Sequence, residues 1–591
     1  MMKKQLIFLS LFIYILGGMA GCSSILDVTP LNQITSAAVW GDASLMQAYM
    51  NNIYTFVGYG EYNSTSGLSV LDDEAIWTNG ATPIVQSTIT SSNLDILGGS
   101  RFNYLLWGSL YSGIRQCNDF LVNSASSTAY NQAMVQRMRG EAYFLRGYFY
   151  HNLMRVNGGV PLITQVYGLQ DSTAKARNTF EETINFIVRD ADSAAALLPA
   201  AYTGADVGRA TKGAALSLKS RVLLYAASDL YNINPSHQPE TGYTSGSRQT
   251  RWEAARNAAK AIMDLGTYKL FSANPAPGDS TAANYANLFL SKTNEEIIFS
   301  RFTSVSAAAP NVGMWFNPNG YHGYGENSPI QQMVDSYEMR DGSKFSWGNP
   351  VHAAHPYENR DPRFYATIFY DGAPWKKRTS DGEVFDPVGI VQAFKTLTLP
   401  DGSTLPGIDT RNGPIENWNG SYSNYYLRKF VDPNNNHQAA SQEIPWPFFR
   451  YGEILLNYAE ACIELGQEQE ARNTLNLIRK RAGMPEFTTA LTGTMLRDEY
   501  RNERKIELAF EEHRFFDIRR WMIAPQVMNE NARGIEISVQ GANRADRTTY
   551  HDYHYKVIDI QNRHWDNKMY FIPIQLEEMN RNPLLKQNPG Y

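Results

Sequence analysis

The chain has few of the residues that usually announce chemistry. Only three cysteines occur in 591 residues, Cys22, Cys117 and Cys462, which argues against a disulfide or a cysteine-based metal site. Cys117 and Cys462 lie within apolar helical patterns and read as small buried hydrophobes. Past residue 16 no apolar run approaches the length that spans a bilayer. Basic clusters are missing and the formal net charge is −5, so nothing points to nucleic acid as a partner. No phosphate-binding glycine loop, nucleophile elbow, H-E-x-x-H or EF-hand pattern is found. The pairs His352/His355 and His551/His554 have no cysteine or carboxylate at zinc-site spacing. No metal, cofactor or catalytic residue is therefore expected.

What is present begins with an address. Lys3 and Lys4 precede an apolar run at 6–16 that is too short to cross a membrane. Next comes Met19-Ala20-Gly21-Cys22, which resembles the bacterial lipoprotein cleavage box. That resemblance implies removal of residues 1–21 and acylation of Cys22, and several acyl chains anchor stably where one does not.

Helical periodicity is strongest at 450–485. Tyr451, Leu455, Tyr458, Cys462 and Leu465 fall on one helical face, and Ala471, Leu475, Ile478 and Ala482 on a second. Gly466 and Gly483 stand where helix ends are expected, so the stretch predicts a helical hairpin of tetratricopeptide type. Further helices are predicted at 42–56, 101–122, 139–156, 179–198, 213–230, 252–266 and 494–520, with a short strand at 295–299. The helices at 213–230 and 252–266 form another hairpin. Residues 304–447 are rich in Gly, Asn, Pro, Tyr and Trp, and predict loops and short strands. The expected class is mainly α, a superhelix of tetratricopeptide-like hairpins with a loop-rich region carrying short strands. Its expected divisions are 1–21, 22–230, 231–303 and 304–591.

Three stretches are candidates for function. Asp72, Asp73 and Glu74 could supply a glycosidase carboxylate pair, although adjacent acids more often form a solvated edge or a turn. Residues 496–521 are densely charged. Glu499, Glu503, Glu507 and Glu511 form an acidic column, with Arg504/Glu507, Glu511/Arg514 and Asp498/Arg501 as local opposite pairs. An anion site at Arg514, Arg519 and Arg520 competes there with a structural ion-pair network, and the network is preferred. The third candidate is aromatic. Trp77, Trp315, Phe316, Tyr321, Tyr324, Trp347, Trp375, Trp418 and Trp446 all sit in polar surroundings. Exposed rings beside amides suit a sugar, with its apolar face and polar rim, and suit a peptide almost as well. The ligand residues expected are Trp77, Asn79, Trp315, Tyr321 and Tyr324.

Motifs along nearly the whole chain resemble the SusD/RagB family of outer-membrane lipoproteins. They include Cys22 with Leu26-Asp27 and Pro30, Arg139-Gly140-Glu141-Ala142, Gly158-Gly159-Val160-Pro161-Leu162 and Gly208-Arg209-Ala210-Thr211. Others are Asn359-Arg360-Asp361-Pro362-Arg363, Arg450-Tyr451-Gly452-Glu453, Glu511-Glu512-His513-Arg514-Phe515-Phe516-Asp517 and the closing Asn588-Pro589-Gly590-Tyr591. The resemblance implies four tetratricopeptide-like hairpins on one side and a ligand-holding loop region on the other. It also implies a cell-surface position and a SusC-like TonB-dependent β-barrel partner that imports an oligosaccharide, or in some members an oligopeptide. A lipid-anchored glycoside hydrolase is the remaining alternative. The matching motifs are scaffold residues, so the ligand residues rest on the aromatic argument alone.

Overall fold

The computed structural model describes residues 36–63, 67–78, 80, 82–94, 103–168, 170–272, 283–305 and 310–591. Cys22 and Asn79 lie outside the described residues. Eight helices make the scaffold: α1 Ala43–Tyr54, α2 Trp107–Asn123, α3 Gln132–Asn157, α4 Phe180–Leu197, α5 Lys212–Ala227, α6 Arg248–Met263, α7 Tyr451–Glu464 and α8 Glu468–Ala482. They form four helical pairs in sequence order, and each pair packs on the next through α2–α3, α4–α5 and α6–α7. No described helix is long and apolar enough to cross a membrane.

Local chemistry accounts for the helix ends. Asp42 caps α1 by accepting from the Ser44 and Leu45 amides at 2.7 and 3.1 Å. Thr179 and Glu182 form a reciprocal capping box on α4. Gly466 and Gly483 adopt φ of 72° and 73° after α7 and α8, the left-handed conformation that releases a helix. The α8 stripe of Ala471, Leu475, Ile478 and Ala482 is buried as expected. On α7 burial extends beyond one face: Glu453, Ile454, Leu456 and Asn457 are buried too, while Tyr451 and Leu465 are half-buried. The cause is position, since α7 lies among α5, α6, α8 and the following helix.

The strands are short on the loop side. They are β1 Ala75–Ile76, β2 Ile297–Phe302, β3 Ser328–Pro329, β4 Ile368–Phe369, β5 Thr396–Thr398, β6 Thr404–Leu405, β7 Tyr426–Leu427 and β8 Pro445–Arg450, then β9 Ala532–Gln540 and β10 His551–Gln561. β1 pairs with β3, β2 with β8 and β4 with β7, all antiparallel. β10, β9, β5 and β6 form a four-stranded sheet in which only the β9–β5 contact is parallel. β8 runs directly into α7 and so joins the loop side to the scaffold. The sequence carries no clear signal of the long β9–β10 hairpin, because β10 is exposed or half-exposed along its length and lacks a buried alternating face.

The predicted helix at 494–520 is two helices, α9 Gly493–Glu507 and α10 Arg514–Arg520. Phe510 and Glu512 take left-handed φ of 59° and 64° between them. The expected local pairs of Glu507 and Glu511 are replaced by distant cations. Glu507 accepts from Arg450 at 2.8 Å, from Arg363 at 3.0 Å and from Arg481. Glu503 meets Arg363 and Arg479 at 2.6 and 2.9 Å. Glu511 meets Arg450 at 2.7 Å and Lys429 at 2.8 Å. Arg504 turns instead to Asp517, 2.8 Å away, and Arg514 to Asp73 at 2.6 Å. All are buried, and a buried carboxylate needs several donors to offset its lost hydration. Neighbours along one helix cannot supply that many. The charged stretch is thus a structural network that ties α8, β8 and the loop side to α9.

Candidate ligand-binding face

The three adjacent acids belong to this interior. Asp72, Asp73 and Glu74 are at most 5% exposed. Asp73 accepts from Arg514 at 2.6 Å and from Lys505 at 3.0 Å. Burial alone would raise its pKa, but the two cations hold it well below the carboxylate range. Asp72 accepts from the Glu74 amide at 2.8 Å, and Glu74 from the Phe510 amide at 3.2 Å. Burial raises both of these carboxyls. The acids brace the turn after which Trp77 emerges, and the Glu74 carbonyl accepts from Ile330 at 3.0 Å beside the β1–β3 pair.

That pair delivers Trp77 to the segment holding the other candidate rings. The Thr78 hydroxyl donates to the Gly325 carbonyl at 2.8 Å. The Tyr324 amide donates to Met314 O at 2.8 Å, and the Glu326 amide to Trp315 O at 2.9 Å. A Cβ on Gly325 would stand 2.6 Å from the Asn419 carbonyl oxygen, and its φ is +58°. Only glycine suits so close an approach in that conformation. Three turns, carrying Trp77, Trp315 with Tyr324, and Trp418, therefore meet at Gly325–Glu326.

Exposure separates the candidates. Tyr324 is 39% exposed, and Trp77 and Trp315 are half-buried. Tyr321 corrects the expectation of an exposed ring: it is 3% exposed, with the Arg378 guanidinium 3.8 Å from its ring centre. Arg378 is itself held by Asp386 and Asp409 at 2.7 Å, so Tyr321 packs beneath the loop. Phe316 and Trp446 are core residues as well; Trp446 packs edge-on to Tyr62 at 4.9 Å. Trp347 and Trp375 are half-buried, and their indoles donate to Asp335 at 3.2 Å and Asn317 at 3.0 Å. Sequence reasoning missed Tyr422, 41% exposed, whose ring lies 3.9 Å from Arg411. It also missed His322, Glu416 and Asp381. The polar run Asn417-Trp418-Asn419-Gly420-Ser421-Tyr422 has the same composition as the stretch around Trp315 and could have flagged that loop.

His322 reaches both neighbouring loops. Its Nδ1 lies 2.9 Å from Glu416 Oε1 and its Nε2 3.2 Å from Asp381 Oδ2. Partial burial works against its charge, but these two carboxylates leave its pKa raised. Among the described residues no group of three or more His, Cys, Asp or Glu could hold a metal ion. The face thus combines half-exposed aromatic rings with amides, a histidine and carboxylates, a set able to stack on a ring and hydrogen-bond its hydroxyls.

A helical-repeat scaffold presenting an aromatic loop face is the class of molecule defined here. Comparisons identify the family. A family model described as "SusD family" matches residues 287–591, and one described as "Starch-binding associating with outer membrane" matches residues 25–224. The chain belongs to the SusD family, in which glycan binding and association with the outer membrane are family-level properties. A SusD-like protein of Formosa agariphila is 22% identical over 87% of this chain and 90% of its own length. The solved structure of a SusD-like protein from Bacteroides fragilis has a TM-score of 0.74 at 27% identity, covering 95% of this chain and all of that one. A SusD-like carbohydrate-binding protein from the same species has a TM-score of 0.69 at 25% identity, covering 93% and 99%.

Proposed function

We propose that this protein is a non-catalytic, cell-surface receptor that captures a glycan on its loop face and passes it to a SusC-like TonB-dependent β-barrel for import. Acylated Cys22 anchors it to the outer membrane. The observation that supports this most is the convergence of the Trp77, Trp315 and Tyr324 turns on Gly325–Glu326, because a sugar ring needs flat apolar surfaces held at fixed spacing beside polar groups. Asn79, between Thr78 and Gly80, remains part of the proposed site together with these rings. Catalysis at Asp72–Glu74 is disfavoured, since Asp73 is committed to Arg514 and Lys505 and all three acids are buried.

The test is affinity electrophoresis of the chain begun after Cys22 on a polysaccharide panel. Wild type is expected to be retarded by one glycan without releasing new reducing ends. The Trp77→Ala, Trp315→Ala double variant is expected to migrate freely while staying folded by circular dichroism, with a lowered melting temperature because both rings also pack against the core. Undiminished retardation of the folded double variant would overturn the site. Displacement by peptides and not by sugars would move the ligand to the oligopeptide class.

A further inference from the structure

The 416–422 loop carries features that the proposed function does not draw on. Trp418 is 66% exposed, a large apolar surface to leave in water, and Asn417 and Asn419 flank it. Its position is not left to the loop alone. Glu416 and His322 are bonded at 2.9 Å, and both are non-glycine residues with left-handed φ, 37° and 60°. Such conformations persist only where the surroundings impose them. Each partner stands two residues ahead of an exposed ring, His322 ahead of Tyr324 and Glu416 ahead of Trp418. The second carboxylate oxygen of Glu416 accepts from Asn419 at 3.3 Å, which closes the turn around Trp418. The backbones of the two turns also touch at Gly325 and Asn419.

We infer that Trp418 is a second sugar-stacking arm of the ligand face, and that His322, through Glu416, is the positioning residue that sets this arm against Tyr324. The inference rests on the glycan reading and names additional residues for it. The titratable and charged groups facing His322 are Glu416, Asp381 and His437, with Lys376 beyond His437 at 3.3 Å. Burial and Lys376 push His437 down to about 4, so His437 stays neutral near pH 7. Protonated His322 donates to both Glu416 and Asp381, whereas neutral His322 has one N–H and keeps only one of those bonds; with the proton on Nδ1, Nε2 accepts from the Thr379 hydroxyl 3.2 Å away and the Asp381 bond is the one lost. The raised pKa of His322 means that the bridge is complete at mildly acid pH and loses one arm as pH rises past that value.

The experiment compares wild type, Trp418→Ala and His322→Gln on soluble starch, laminarin, xylan and mannan between pH 5.5 and 8.5. Amide hydrogen exchange of the 416–422 segment is followed without ligand. Trp418→Ala is expected to bind about tenfold more weakly with unchanged melting temperature, the scale of one lost stacking contact. Wild type is expected to bind more weakly as pH rises from 5.5 to 8.5; His322→Gln is expected to bind several-fold more weakly than wild type at pH 6 and to show no such decline. Its 416–422 amides should also exchange faster than wild type at pH 6. Wild-type affinity in Trp418→Ala overturns the second arm, and identical exchange and pH profiles in His322→Gln overturn the positioning role. If wild type binds none of the four glycans, the glycan reading fails with the second arm, and the exchange comparison still decides what His322 does.

Discussion

Glu460 illustrates how single side chains decide stability here. It accepts from Arg520 at 2.5 and 2.7 Å, from the Trp521 indole at 2.6 Å and from the Tyr500 hydroxyl at 2.5 Å. Burial would raise its pKa, yet Arg520 and its other partners bring it down to about 2, against an ordinary 4.5. A carboxyl depressed on folding contributes stability above the unfolded value and loses it as pH falls toward the folded one. Glu460→Gln should therefore lower the urea midpoint at pH 7 and flatten its fall between about pH 4.5 and 2. An unchanged slope over that window would falsify the assignment. The sequence displayed the charges of 496–521 plainly, and their structural role was legible. Their partners were not: Arg363, Arg450, Arg479 and Arg481 come from other elements.

Elements show the same division. Helices α1, α4, α7 and α8 lie close to where capping residues and apolar spacing place them, since both signals are local. The single helix expected at 494–520 breaks because Phe510 and Glu512 turn left-handed, which lets Glu511 face Arg450 and Lys429 while Phe510 N reaches Glu74. No glycine or proline marks that break. Gly325 is the corresponding point on the loop side. Gly325→Ala combines a φ of +58° with a 2.6 Å clash against Asn419 O, and is expected to cost about 1–3 kcal/mol. It should also weaken glycan binding more than its melting temperature alone accounts for, because it separates the Trp418 turn from the Tyr324 turn. Calorimetry and affinity electrophoresis on one preparation check both outcomes. Full stability with an alanine there would show that the turns yield.

For the whole molecule, the larger of two hydrophobic clusters among the described residues runs from Met46 to Leu585, so the segments expected at 22–230 and 304–591 share an interior. Arg221 of α5 binds Glu453 of α7 at 2.6 Å, and β2 pairs with β8. Residues 36–303 expressed alone should then lack a cooperative unfolding transition and regain it when 304–591 is co-expressed, as followed by circular dichroism. A sharp transition of the isolated fragment would contradict a shared core. The helical class, the hairpin at 450–485, the loop character of 304–447 and the family were all readable from the chain, since each depends on residues near one another in sequence. Which aromatics meet water was not. Tyr321 and Tyr324 are three residues apart in the same polar run, yet Arg378 covers one and the other is open. The joining of Trp77, Tyr324 and Trp418 was equally hidden. It depends on a side-chain hydroxyl, that of Thr78, donating to the Gly325 carbonyl 247 residues away, and on a histidine whose carboxylate partners lie 59 and 94 residues away. Burial and long-range pairing are properties of the packed chain, and only its tertiary structure assigns them.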